Sequence, residues 1–443
     1  MPRTIQLPLK GTPKEEVLKK LGALRAQDAS WKDGRTWSLV YYAGEEIASL
    51  LKEAYALFLH ENGLSPLAFP SLRRFENEVV AMTAGLLGGD GEVAGNMTSG
   101  GTESILLAVK TARDMARKER GITAPEMVLP VTAHPAFEKA ARYFNVKPVR
   151  IPVDSDFRAD PEAARRAVTE NTILMVGSAP AYPHGVIDPI EELAAVAREK
   201  NICFHVDACL GGFLLPFLRK LGHPVPDFDF RVPGVTSLSA DVHKYGYAAK
   251  GASVILYRTR DIRKYQFTVV TDWQGGVYAS PTMPGTRPGG AIAAAWAILN
   301  YLGEEGYLHL AEKVMKTTRA LIEGINSITG LYVLGKPAMS VFAFTSDELN
   351  VYALGSAMQA RGWHLDALQL PPCLHVMVTA AHENVVEEFL ADLRDAVRET
   401  RESNQTEVPA GAAALYGMLG TITNRQMADE LVLALLDDLY TLD

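Results

Sequence analysis

From Thr102 onward, short runs of apolar and β-branched residues alternate with stretches whose apolar residues recur at helical spacing. Leu106, Leu107, Val109 and Met115 predict one helix. The run Met127–Thr132 (MVLPVT) then reads as a buried strand. Four more runs follow: TILMVGSA (Thr172–Ala179), ICFHVDA (Ile202–Ala208), TSLSA (Thr236–Ala240) and ASVILYR (Ala252–Arg258). Short strands bounded by turn residues and separated by helices predict crossover units and a mainly parallel sheet, an α/β fold. Ligands of such sheets bind outside the carboxyl ends of the strands, so chemistry is sought in the loops that follow them.

On either side the pattern changes. Glu45–Asn62 and Leu72–Leu87 are helical in period, after an aromatic-rich arm at Trp31–Tyr42. Ala291–Ile328 predicts one or two long helices. Beyond it LYVLG, MSVFAFTS and LHVMVTA alternate with helical stretches near Glu348–Arg361 and Glu383–Arg398. The expected organisation is an arm and helix over 1–60 and a large domain over 61–305. A smaller α+β domain over 306–400 and a polar linker with a terminal helix over 401–443 complete it. A length of 443 residues, at about 150 per unit, allows three such units, two of which merge readily in an α/β fold.

Composition narrows the function. Hydrophobic residues make up 48% and charged residues 22%, the balance of a soluble globular chain rather than a disordered or fibrous one. Acidic residues outnumber basic ones, 52 to 44, and no Lys/Arg block stands out, so nucleic acid is not an expected partner. Three cysteines with no CxxC pair make neither a disulfide framework nor a zinc knuckle. The N-terminus lacks the apolar core of a signal peptide, and no apolar run approaches the ~20 residues of a transmembrane helix. A cytoplasmic protein without a membrane anchor is expected.

Four strand-end segments carry candidate chemistry. SGGTES (Ser99–Ser104) precedes a helix, and its paired glycines allow backbone N–H groups to approach an anion. Alone it reads more readily as a capped turn, and it is no Walker loop because no Gly-Lys-Ser/Thr follows. Cys203, His205 and Asp207 alternate on one strand and share a face. A metal site there lacks a second ligand cluster, so no metal is expected, and Asp207 is the better candidate as a carboxylate presented to a ligand. Cys209 reads as a small buried hydrophobe. His243-Lys244 ends another strand. A lysine there is commonly a solvated loop residue, yet beside an aspartate and a phosphate cup it can form a Schiff base with an aldehyde cofactor. His134, after the MVLPVT run, could lay its ring against a planar group.

TSGGTES, AHPAFEKAA (Ala133–Ala141), HVDACLGGF (His205–Phe213) and SADVHKYG (Ser239–Gly246), in this order, resemble the fold-type I pyridoxal-phosphate enzymes of the group II decarboxylase superfamily. The resemblance covers most of Tyr41–Thr400. It implies pyridoxal 5'-phosphate as cofactor, its phosphate held by Gly101 and Thr102 with His243 alongside. It further implies His134 stacked on the ring, Asp207 paired with the ring nitrogen and Lys244 as the Schiff-base lysine.

Pyridoxal chemistry alone leaves decarboxylation, transamination and carbon–carbon cleavage open. Gly177–Ala194, Tyr245–Arg258 and Asp272–Gly290 are more similar to the sphingosine phosphate lyases than to amino-acid decarboxylases. That resemblance implies cleavage of a phosphorylated long-chain base to a fatty aldehyde and phosphoethanolamine. Decarboxylation of glutamate, aspartate or an aromatic amino acid is the alternative, and a degenerate binding protein a third reading. Tyr41, or Tyr42 if the register shifts, and Lys250 would hold the substrate phosphate and amine. Asn62 would lie in the substrate pocket and Tyr182 near the reacting centre. Thr286 and Tyr278 would serve a site shared across a homodimer. Where the lyases often carry a histidine, this chain has Ser65, which can hydrogen-bond but cannot be a cation or a near-neutral base. The base for the C3 hydroxyl stays open among Tyr182, the cofactor phosphate and Lys244. The membrane helix of eukaryotic members is missing from the pattern, which predicts a soluble prokaryotic-type enzyme.

Overall fold

A computed structural model of the chain describes residues 5–26, 28–402, 422 and 424–441. The polar linker expected after Arg401 lies almost wholly outside the described residues. The centre is a seven-stranded sheet of β1 (Ala94–Thr98), β2 (Glu126–Pro130), β3 (Lys147–Ile151), β4 (Thr172–Ser178), β5 (Cys203–Asp207), β6 (Ser237–Ala240) and β7 (Ser253–Tyr257). Their order across the sheet is β1-β7-β6-β5-β4-β2-β3. The pairs β2–β3, β2–β4, β4–β5 and β5–β6 are parallel. Strand β7 pairs antiparallel with both β6 and β1, so it alone is reversed. Every residue of β4, β5, β6 and β7 is buried, which explains why these strands read as apolar runs rather than alternating ones.

This topology sets the site. The carboxyl ends of β1, β2, β4, β5 and β6 lie along one edge, and the reversed β7 begins there. The helix Gly101–Arg120 leaves that edge directly after β1. It buries Ile105, Leu106, Val109, Ala112 and Ala116 against the sheet side and stops at Gly121, whose φ of 68° suits glycine at a helix end. Arg117, Lys118 and Arg120 in its last turn complement the negative end of the helix dipole.

Among the described residues there are two further sheets. A hairpin of β8 (Thr268–Trp273) and β9 (Gly276–Ser280) stands out from the body, exposed everywhere except Ser280. A four-stranded antiparallel sheet, ordered β10 (Tyr332–Val333), β11 (Val341–Thr345), β13 (Pro372–Met377), β12 (Asp366–Gln369), has its own apolar core. The helix Gly289–Asn326 joins the two units and bends at Gly303. Trp37 of the N-terminal arm is fully buried in the small-sheet core, stacked on His382 at 4.3 Å. The arm is thus held by the small sheet, through Trp37 N–H to His364 O and Met377 N–H to Trp37 O. Among the described residues no helix is long and apolar enough to cross a membrane.

Candidate active site

A cavity of about 370 Å³ opens at the shared strand edge. Gly101 and Thr102 line it after β1, His134 after β2, Tyr182 after β4, Asp207 at the end of β5, and His243 and Lys244 after β6. Seven residues scattered over more than 140 positions of sequence therefore meet because each follows a neighbouring strand of one sheet.

The glycine cup is sterically required. A Cβ on Gly101 would meet Cys209 Sγ at 2.7 Å and Asp241 Oδ2 at 2.8 Å. Glu103, in the first helical turn, accepts hydrogen bonds from the Ser99 amide and hydroxyl, both at 2.7 Å, and from the Met283 amide at 2.8 Å. It fixes the cup and ties it to the loop that carries Thr286. His243 completes the rim: its Cε1 lies 3.3 Å from where a Gly100 Cβ would be. Its Nδ1 accepts the Ala252 amide at 3.1 Å, and burial pushes it down to about 4, so it is neutral with Nε2 carrying the proton. A neutral donor beside free helix N–H groups suits an anion.

Lys244 Nζ lies 3.0 Å from Asp241 Oδ2, and Asp241 is 1% exposed at its side chain. Burial opposes charge on both groups, but the pair outweighs it. Lys244 is held above the usual lysine range by Asp241, and Asp241 below the usual carboxylate range by Lys244 and His243. Asp207 accepts the Cys209 amide at 3.1 Å. His134 accepts the Ala136 amide at its Nδ1, 3.1 Å, and burial lowers it despite the nearby Asp207, which leaves a neutral ring in the cavity wall. Sequence reasoning missed Asp241. The signal was present: a strand-end carboxylate three residues before Lys244, one turn away.

His205 is not a ligand of anything in this cavity. It is fully buried, and its two ring nitrogens meet Ser237 Oγ at 2.9 Å and Ser239 Oγ at 3.2 Å. Among the described residues no group of three metal-binding side chains occurs.

The remaining candidates separate into two groups. Tyr41 and Lys250 lie together: Lys250 Nζ sits 4.9 Å from the centre of the Tyr41 ring and donates to Leu39 O at 2.9 Å. The strand start at Ser253 brings Lys250 to the site edge, where its Nζ is 3.5 Å from His243 O. Tyr42 instead donates to Glu45 at 2.7 Å and lines a different cavity, so the geometry separates the two tyrosines. Asn62, Ser65, Tyr278 and Thr286 are not brought to the cavity wall. Asn62 Oδ1 accepts the Leu64 amide at 3.1 Å and its backbone bridges to Pro288. Ser65 and Thr286 are exposed, and Tyr278 lies on the exposed hairpin.

A model of the pyridoxal-dependent decarboxylase conserved domain matches residues 23–346. Sphingosine-1-phosphate lyase of Arabidopsis thaliana is 50% identical over 99% of this chain and 81% of its own length. The rat enzyme, sphingosine-1-phosphate lyase 1, is 45% identical over 99% of this chain and 77% of its own. The chain belongs to the sphingosine-1-phosphate lyase family. The solved lyase of Burkholderia pseudomallei superposes with a TM-score of 0.88 at 43% identity, covering 91% of this chain and 94% of that one. Glutamate decarboxylase of Lactobacillus brevis superposes at 0.80 with 20% identity, over 92% and 96% of the two chains, and so shares the fold-type I architecture.

Pyridoxal phosphate is the cofactor of this lyase-family fold, and the cavity residues fit it. The side-chain-free cup at Gly101 and the neutral His243 beside it suit a phosphate. Among the described residues the Oδ1 atom of buried Asp241 has no partner in hydrogen-bonding geometry, as expected of a wall shaped for a further group.

Proposed function

We infer that the protein is a sphingosine-1-phosphate lyase, which breaks the C2–C3 bond of a phosphorylated long-chain base and releases a fatty aldehyde and phosphoethanolamine. One observation carries the reading: Lys244 and Asp207 share a cofactor-sized cavity whose edge also bears Lys250 against Tyr41. Near-full-length similarity to lyases of that name supports it.

Gly101, Thr102 and His243 would hold the cofactor phosphate, His134 would lie against the ring, and Asp207 would keep a proton on the ring nitrogen. Bound there, pyridoxal phosphate supplies an aldehyde for the substrate amine and a ring that accepts the electron pair of the breaking bond. Lys250 and Tyr41 would bind the substrate phosphate; Asn62 and Ser65 do not line the cavity of their own subunit and would contribute only to a neighbour's pocket. Tyr182 Oη and Lys244 Nζ would be the protein groups that move protons at the C3 hydroxyl and at C2. Asp241 keeps a free Lys244 protonated, which suits Lys244 to deliver the proton to C2.

The same reading makes the enzyme a cytoplasmic homodimer in which Thr286 and Tyr278 serve the neighbour's site. It also divides each subunit into a large domain over 61–305 and a small one over 306–400. Incubation with sphingosine 1-phosphate should yield fatty aldehyde and phosphoethanolamine in equal amounts, and unphosphorylated sphingosine should react poorly. Carbon dioxide released from glutamate, aspartate or tyrosine, with sphingosine phosphate untouched, would establish the decarboxylase instead.

A further inference from the structure

Tyr182 is reached from outside the large sheet. Its hydroxyl donates to Asp366 Oδ2 at 3.1 Å. Its ring stacks on His375 with centroids 4.3 Å apart and planes at 27°. His375 Nε2–H also donates to the Tyr182 carbonyl at 2.9 Å. Asp366 and His375 are direct partners across β12 and β13 of the small sheet. One cross-strand pair therefore holds the ring, the backbone and the hydroxyl of a single cavity residue. His375 is fully buried, and its Nδ1 has no hydrogen-bond partner among the described residues. Burial pushes it down to about 4, so it is a neutral ring at working pH.

We propose that Asp366 and His375 are positioning residues for the reaction, acting through Tyr182. This rests on the reading of Tyr182 as a group at the reacting centre. The argument is one of directional bonding. A tyrosine hydroxyl has one proton and two lone pairs. With the proton given to Asp366, Tyr182 meets a substrate hydroxyl or ammonium as an acceptor. His375 fixes the plane of the ring, and Asp366 fixes the rotation of the O–H within that plane. Without Asp366 the hydroxyl can turn its proton elsewhere, and the productive orientation becomes one of several. Alignment of this kind is felt in turnover more than in affinity.

The small sheet is thereby coupled to the cavity. Tyr182 belongs to the loop after β4, whereas Asp366 and His375 belong to the small unit. A displacement of the small sheet from the large one would loosen this hold on Tyr182.

The test compares Asp366→Ala, Asp366→Asn, Tyr182→Phe and the double variant Tyr182→Phe/Asp366→Ala, all cofactor-loaded. A hydrogen bond to a charged partner implies a loss of about ten- to a hundredfold in kcat for Asp366→Ala. KM should change less than about twofold, with cofactor absorbance and Tm retained. Asp366→Asn, whose amide oxygen can still accept the bond, should recover to within about threefold of wild type. The double variant should be no slower than Tyr182→Phe, because both act through one group. In the cofactor-free protein, nitration of Tyr182 by tetranitromethane should be several-fold faster once Asp366 is alanine. His375→Phe, which keeps the stack and loses the donated bond, gives a second route and should lower kcat by about three- to tenfold.

The proposal is overturned if Asp366→Ala and His375→Phe both turn over like wild type while Tyr182→Phe is impaired. It also fails if the losses in the double variant multiply. If Tyr182→Phe itself keeps full kcat, the role of Tyr182 falls and takes the clamp with it, while sphingosine phosphate cleavage by the wild type still stands.

Discussion

At the residue scale, Lys250 is the group whose chemistry depends most on its surroundings. The residue is exposed, yet its ammonium lies on the Tyr41 ring and near His243. Burial of that head, with the positive Lys244 nearby, pushes it down to about 8. A lysine lowered in the folded state sheds its proton before the unfolded chain does, so between about 8 and its ordinary value folding stability rises with pH. Binding runs the other way. An anchor for a phosphate dianion loses its charge as pH passes 8, so kcat/KM for the phosphorylated substrate should fall there, since that ratio reports the free enzyme. In Lys250→Arg the fall should move to higher pH. A fall that stays at 8 in the arginine variant would assign it to another group. Lys250→Ala should lower kcat/KM by roughly ten- to a hundredfold, the cost of one charge-assisted bond. Lys244, Asp207 and His134 could be singled out in sequence because each ends a recognisable apolar run. Asp366 could not, since its meaning comes from a partner 3.1 Å away that only the fold supplies, whereas Asp241 carried its signal in the spacing of three residues before Lys244.

At the element scale, the loop before the helix Gly289–Asn326 is held by one buried ion pair. Arg287 Nη1 and Nη2 meet Glu76 Oε1 and Oε2, each at 2.9 Å, and Nη2 also donates to Gly63 O at 2.9 Å. Glu76 in turn accepts the Met97 amide at 3.1 Å, in the strand that leads to the glycine cup. Removing one partner leaves a buried charge uncompensated, which typically costs about 3–5 kcal/mol. Arg287→Ala should therefore lower Tm by about 3–5 °C, whereas Thr286→Ala on the exposed neighbour should leave it nearly unchanged, as calorimetry can check. An equal Tm for Arg287→Ala would show the pair to be dispensable. The partly exposed β10 apart, the strands legible in sequence were those buried on both faces. AGNMT of β1 was not, because small and polar residues there are buried by neighbours rather than by their own hydrophobicity. The β8–β9 hairpin was also unforeseen, since its apolar residues face outward and mark no core. The bend at Gly303 resolves one helix or two in favour of a joined pair.

At the scale of the whole molecule, that hairpin is the feature a monomer does not explain. Val269 is 61% exposed, Trp273 59% and Val277 74%, on a two-stranded ribbon that is only marginally stable alone. Contiguous exposed apolar surface on a folded chain marks an interaction site. Tyr278 lies on the same ribbon, and the loop that follows it leads to exposed Thr286. A two-fold partner covering this surface would meet the same surface of the first subunit, and both would bring Thr286 toward a neighbour's cavity. Trp273→Asp should therefore shift the protein from dimer to monomer in light scattering and lower activity in parallel. Complementation decides whether the sites are shared. Lys244→Ala and Thr286→Asp should each be nearly inactive. Unfolded and refolded together, they should regain roughly a quarter of wild-type activity, because half the dimers are mixed and each mixed dimer keeps one intact site. If Thr286 served its own subunit, a mixed dimer would carry one defect in each site and no activity would return. A protein that stays monomeric and fully active at assay concentration would remove the partner altogether and leave the exposed ribbon to some other surface.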